Sequence, residues 1–191
     1  MFILISLLAF NVLDELIDIL DAEGNPTGRR CLKSVAHKNG YFHATVHVWL
    51  FTEHHKILLQ KRSPNKKVFP NLWDISVAGH ITAGERVLDA ALREAFEEIG
   101  LVLSSSDLIE IGTRKHQVRH ANGIQDNEIH HVFIAKLKVP VDQLNLQEEE
   151  VAGLQLFDLE ILTNTGSLEN VLLPQFHDYY RQVYDAIRNS C

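Results

Sequence analysis

The chain has 191 residues, enough for one domain with its own core, and its 46% apolar and 23% charged residues are those of an ordinary globular protein. A formal net charge of −7 argues against nucleic acid or an anionic membrane as the main partner. Two cysteines, Cys31 and Cys191, are too few for a disulfide framework and fit a reducing, cytoplasmic setting.

The first twelve residues, "MFILISLLAFNV", are apolar enough for the core of an export signal, but no Lys or Arg precedes them and no clear cleavage site follows. They are too short to span a bilayer as a helix, so no stable membrane span is expected. Residues 1–13 are read as an apolar extension, with membrane association or export as the alternative, ahead of a single domain over residues 14–191.

Within that domain, "ELIDILDAEGNPTGRR" alternates apolar and acidic residues as a strand does and turns around Gly24, Asn25 and Pro26. His43 to Phe51 and Lys56 to Arg62 are strand-like and joined by a polar turn at Thr52 to His55. "NLWDISVAGH" gives another short strand. One strongly periodic helix follows, with Val87, Leu88, Ala91, Leu92, Ala95 and Ile99 facing a core and Gly100 in the left-handed position that ends it. "LIEIGTRKHQV" and "EIHHVFIAKL" predict two more strands, and "GLQLFDLEIL" a last strand and a short helix. A closing helix opens at Pro174 and carries Phe176, Tyr180, Val183, Tyr184 and Ile187 on one side. The expected fold class is α+β, a mixed central sheet flanked by helices.

The periodic helix also carries "REAFEE". Glu94, Glu97 and Glu98 stand at i, i+3 and i+4, so three carboxylates leave one side of the helix. Like charges at this spacing repel, and a hard divalent cation such as Mg²⁺ would turn repulsion into coordination. Arg93 can pair with Glu97 one turn on or brace the acids from behind. Glu85 sits where the helix begins and a carboxylate is favoured. Three acids alone would also fit a solvated helix face.

Their neighbours decide. Gly79, Glu85, Arg93, Glu94, Ala95, Glu97, Glu98, Gly100 and Leu101 fill the signature Gly, five residues, Glu, seven residues, Arg-Glu-apolar-X-Glu-Glu-X-Gly-apolar. The stretch from residue 79 to 101 resembles the Nudix box of the Nudix hydrolase superfamily. The resemblance implies the Nudix α/β/α sandwich and Mg²⁺ or Mn²⁺ held by Glu94, Glu97 and Glu98 with the Gly79 carbonyl. It also implies water attack on a nucleoside diphosphate linked to another group or a similar organic diphosphate. Glu94 or Glu97 could act as the general base, or an acid of "NLQEEEV" such as Glu149 or Glu150.

"HKNGYFHATVHVWLF", "LLQKRSPNKKVFPNLWDISVAGH" and "DNEIHHVF" resemble the isopentenyl-diphosphate isomerase branch of the superfamily. That resemblance implies a second cation at His43, His80 and Glu128, joined by His37 and Asp126, a donor set that suits Mn²⁺, Zn²⁺ or Fe²⁺. Without an ion, these histidines would hydrogen-bond the surrounding loops. The isomerases place a catalytic cysteine immediately before the box glycine, whereas this chain has Ala78, which can neither give nor take a proton. Hydrolysis is therefore expected, ahead of isomerisation or of non-catalytic nucleotide sensing. Arg62 and Lys66 match positions that contact the diphosphate, and the basic run of Arg114, Lys115, Arg119 and His120 could add to that site. Phe69, Trp73 and Trp49 suit core packing better than stacking on a base. The sequence leaves a homodimer open.

Overall fold

The computed structural model describes residues 14–163, 172 and 176–190. The apolar extension, Pro174 and Cys191 lie outside the described residues, and so do the expectations attached to them. Among the described residues, no helix is long and apolar enough to cross a membrane.

The alternating segment near the start forms β1 (Leu16–Leu20) and β2 (Pro26–Leu32), paired antiparallel as a separate two-stranded sheet. Its link to the rest runs through isolated bridges, Ile17 to Thr82 and Leu20 to Phe42, so it stands as a small sheet beside the mixed central sheet that the sequence predicts. Next comes a helix that the sequence reading did not contain, α1 (Lys33–Asn39). It is two turns long and buries only Ala36, so it shows no apolar period. Gly40 ends it in the left-handed conformation at φ 65°, which a side chain there would resist.

The main sheet has seven strands. β3 (His43–Phe51) runs parallel to β8 (Gln125–Lys136), and β8 pairs antiparallel with β7 (Ile109–Arg119). β4 (Lys56–Arg62) meets β3 only at Phe51 and Ile57, then turns to pair with β9 (Val151–Asp158). The expected single strand over "NLWDISVAGH" is divided into β5 (Trp73–Asp74), against β4, and β6 (Val77–His80), against β3. The break falls at Ser76, whose hydroxyl donates to the Leu58 carbonyl at 2.5 Å and accepts the Leu50 amide at 2.8 Å. That fully buried side chain stands in for ladder bonds and lets the chain cross from one neighbour to the other.

Strand alternation sorts the core into two layers. Val46, Val48, Leu50, Leu58, Phe133 and Ala135 face α2 (Val87–Ile99), which buries Ala90, Ala91, Ala95 and Ile99. Leu88, expected in this core, is 41% exposed, while Val87 and Leu92 are only partly buried. Trp49, Phe51, Ile57, Leu59, Val132 and Ile134 face the other way, against α3 (His177–Arg188) and its Tyr179, Tyr180, Val183 and Ile187. The short helix after the last strand is a single 3₁₀ turn at Leu159–Leu162.

Candidate active site

Strand β6 is the wall on which the site is assembled. Gly79 lies against α2 so closely that a methyl carbon there would fall 1.9 Å from the Glu94 carboxyl carbon. The box glycine is needed for contact. Burial drives the Glu94 pKa up to about 7, although Arg93 opposes this. Glu98 is buried one turn on and accepts from the Gln60 amide at 3.1 Å and the Ala78 backbone N–H at 3.2 Å. Burial, and then the Glu94 charge, push its pKa to about 8. Two such acids side by side favour a cation between them and the Gly79 strand, so the residues present fit one.

Glu97 differs from its neighbours. Its side chain is 49% exposed and is held from outside by Arg93 at 2.8 Å. Arg93 is the brace of the site: it also donates to Glu94 (2.8 Å), to both oxygens of Glu85 (2.9 Å each) and to the His80 carbonyl (2.9 Å). Glu85 accepts the Thr82 amide as well at 3.0 Å, which fixes the turn ahead of the helix. Burial would raise the Glu85 pKa, but the hydrogen bonds from Arg93 and Thr82 and the Arg93 charge together outweigh it and keep the carboxylate below its usual range.

On the other side of β6, the His80 ring joins His37 from α1, His43 from β3 and Glu128 from β8, with one ligand atom of each within 4.8 Å of the others. His37 and His80 approach at 3.0 Å through their Nε2 atoms. His43 is fixed by Nδ1 against the Tyr41 carbonyl at 2.9 Å. Its fully buried Nε2 has no hydrogen-bond partner, since Glu128 Oε1 is 3.6 Å away. A buried ring nitrogen aimed at a carboxylate and two further imidazoles is what a transition-metal ion requires, so this cluster also fits a cation. Asp126 stands one step back: it holds His37 Nδ1 at 2.9 Å and His120 Nε2 at 2.6 Å, which makes it an orienting group behind a ligand. Burial lowers the His80 pKa well below the usual histidine range. For Glu128, burial works upward, but His130 at 2.8 Å and the neighbouring imidazoles outweigh it and hold the carboxylate ionised.

The cations expected to meet a substrate are placed less simply. Lys66 pairs with Glu150, and both are near enough to act on the charge of Glu98. Arg62 is occupied by Asp74 at 3.0 Å and by the Val68 carbonyl, bonds that shape the loop after β4. Alternation along β7 divides the second basic run. Exposed Arg119 and Lys115 lie on the face opposite Arg114 and His116. His120 is spent on Asp126. Trp49 is fully buried and donates to the Tyr179 hydroxyl at 2.8 Å, while Trp73 packs on Phe157 and Phe69 on His120.

Sequence reasoning missed Gln60, Asp74, His120 as a partner of Asp126, and His130. Only His130 left a signal, because it stands two residues beyond Glu128 on the same face of a strand.

The fold and these two clusters fit a class of enzymes with cation-binding acids beside a sheet, and the comparisons identify the family. The family pattern described as NUDIX domain matches residues 41–180. The chain is 37% identical over 152 residues to an uncharacterised Nudix hydrolase of Clostridium acetobutylicum, covering 78% of this chain and 72% of that one. It is 33% identical over 146 residues to the isopentenyl-diphosphate Δ-isomerase of Shigella boydii, covering 76% and 78%. A crystal structure from Deinococcus radiodurans shares the fold with a TM-score of 0.67 over 88% of this chain and 98% of that one, at 18% identity. The chain belongs to the Nudix family and is a pyrophosphohydrolase of that family.

Proposed function

We propose that the chain hydrolyses the phosphoanhydride of a nucleoside diphosphate linked to another moiety, or of a similar organic diphosphate, with Mg²⁺ or Mn²⁺ at Glu94, Glu97, Glu98 and the Gly79 carbonyl. The observation that carries this reading is the pair of buried acids, Glu94 and Glu98, pressed against β6 with both pKa values raised toward neutrality. A divalent cation bound there supplies charge neutralisation of the phosphates and a more acidic water. The chain's own residues do the rest. Arg93 holds Glu94 and Glu97 and is itself anchored on both Glu85 oxygens and the His80 carbonyl, Gln60 orients Glu98, and the Ala78 amide fixes the strand beneath. Lys66 is the phosphate contact favoured by position, since its partner Glu150 and the box acids bring it to the site. Glu150, released from Lys66 when a diphosphate competes for that ammonium, is favoured over Glu149 to take the proton of the attacking water.

A second cation, Mn²⁺, Zn²⁺ or Fe²⁺, at His37, His43, His80 and Glu128 is supported by the unpartnered Nε2 of His43. Isomerisation is disfavoured by the Ala78 methyl in spite of the isomerase relatives. The test is a panel of organic diphosphates scored for phosphate and nucleotide release. Cleavage should vanish on chelation and return with Mg²⁺ or Mn²⁺, and the protein should not interconvert isopentenyl and dimethylallyl diphosphate. No cleavage of any compound with either ion, or isomerase turnover, would overturn the reading.

A further inference from the structure

Residues 63–72, between β4 and β5, form a loop whose far end closes back on Arg62. The Arg62 backbone amide donates to the Leu72 carbonyl at 2.9 Å, and the Asn71 amide donates to the Arg62 carbonyl at 3.2 Å. The Arg62 guanidinium also donates to the Val68 carbonyl at 3.1 and 3.0 Å. From the turn between β7 and β8, the Asn122 side-chain amide donates to the Lys67 carbonyl at 2.8 Å.

Within this frame the backbone is strained. Phe69 has φ 49° and Asn71 has φ 62°, both in the left-handed region. Asparagine tolerates that region, but a bulky aromatic residue there is an outlier. Such a conformation persists only where the surroundings over-determine it, and it tends to mark a functional segment. Core packing does not account for it, because Phe69 is only partly buried and joins none of the apolar clusters. Its ring instead stands edge-on to His120, with centroids 5.3 Å apart and planes at 82°.

That contact leads to the histidine cluster. His120 meets Asp126 at 2.6 Å, and Asp126 meets His37 Nδ1 at 2.9 Å. Three positions before Phe69, Lys66 pairs with Glu150 and lies near enough to Glu98 to act on its charge. The loop thus spans both candidate cation sites, with an ammonium beside the box acids and a ring against the group behind His37. We infer that Phe69 and His120 are positioning residues: their contact registers the loop against the histidine cluster and so places Lys66 for a phosphate lying between the two cation sites. Both act through Lys66. The inference rests on the diphosphate reading and adds what sets the position of its cationic contact.

Calorimetric binding of inorganic pyrophosphate in the presence of Mg²⁺ tests it without requiring turnover. Phe69→Gly removes the ring while suiting the left-handed backbone, so the loop loses its anchor without added strain. It should weaken pyrophosphate binding about tenfold, the worth of one misplaced charged donor. Phe69→Tyr keeps a ring on His120 and should bind as the parent does. His120→Gln keeps a donor for Asp126 but no ring, and should show the same loss as Phe69→Gly. On a Lys66→Met background, Phe69→Gly should cost no further affinity, since the residue it would misplace is already neutral. Parent-like affinity in well-folded Phe69→Gly and His120→Gln, or a loss that persists in full on the Lys66→Met background, would overturn the inference and leave the diphosphate reading standing. No binding of pyrophosphate by the parent would overturn that reading and this inference with it.

Discussion

Glu98 shows how much of the chemistry a single side chain can carry. It is buried, shares its surroundings with Glu94, and is held by Gln60 and the Ala78 amide in a place where ionisation is costly. Its folded pKa of about 8 lies above the 4.5 of an ordinary glutamate, and that of Glu94 lies at about 7. The folded protein therefore keeps protons that the unfolded chain has lost, and without metal its stability should fall as pH rises from about 5 to 8. Melting scans in chelator across that window should show the decline, and Glu98→Gln should flatten it and raise the melting temperature at pH 8. A pH-independent melting curve would show that neither acid is perturbed. The same substitution would remove a proposed cation ligand, and a loss of several kcal/mol of transition-state stabilisation corresponds to roughly a thousandfold slower hydrolysis. Residue spacing makes the acid cluster legible, since i, i+3 and i+4 share a helix face. It does not reveal that Glu97 stays at the surface on Arg93, because that depends on which side of the helix the strand occupies.

Among the elements, β6 does the most with the fewest residues. Its four positions offer Ala78 to Glu98, Gly79 to Glu94, and His80 to Arg93 through the carbonyl and to the histidine cluster through the ring. Gly79→Ala should push the Glu94 carboxylate aside. Displacement of a catalytic group by about 1 Å can cost about a hundredfold in rate, and overpacking costs about 1–3 kcal/mol of stability. In a Glu94→Ala background the same change should cost far less stability, and an undiminished cost would show that the clash lies elsewhere. Helix α1 presents the opposite case for legibility. It carries His37, but it is short, buries one alanine and has no side-chain N-cap, so neither period nor capping announces it. The division of β5 from β6 is hidden for a related reason, since Ser76 works through contacts to Leu50 and Leu58, far along the chain.

At the scale of the whole molecule, the histidine cluster is a product of topology. His37, His43, His80 and Glu128 come from α1, β3, β6 and β8, and only the antiparallel β6 and parallel β8 on either side of β3 bring them within 4.8 Å. Pattern could suggest these residues only through a family resemblance, because strand order depends on long-range pairing that local periodicity does not encode. A cation bound by four separate elements ties the folded state together and has no equivalent in the unfolded chain, so binding must raise stability. At a hundred times its dissociation constant the gain is about 2.7 kcal/mol, which for a domain of this size moves the melting temperature by roughly 5–10 °C. Mn²⁺ or Zn²⁺ should produce that shift in the parent protein and in Glu98→Gln, whose box site is impaired while the histidines are intact. His43→Ala should abolish it, because within this cluster His43 supplies the buried ring nitrogen that has no hydrogen-bond partner. A shift that survives His43→Ala but disappears in Glu98→Gln would assign the stabilising cation to the acids of α2 and leave the histidine cluster as a hydrogen-bonded wall.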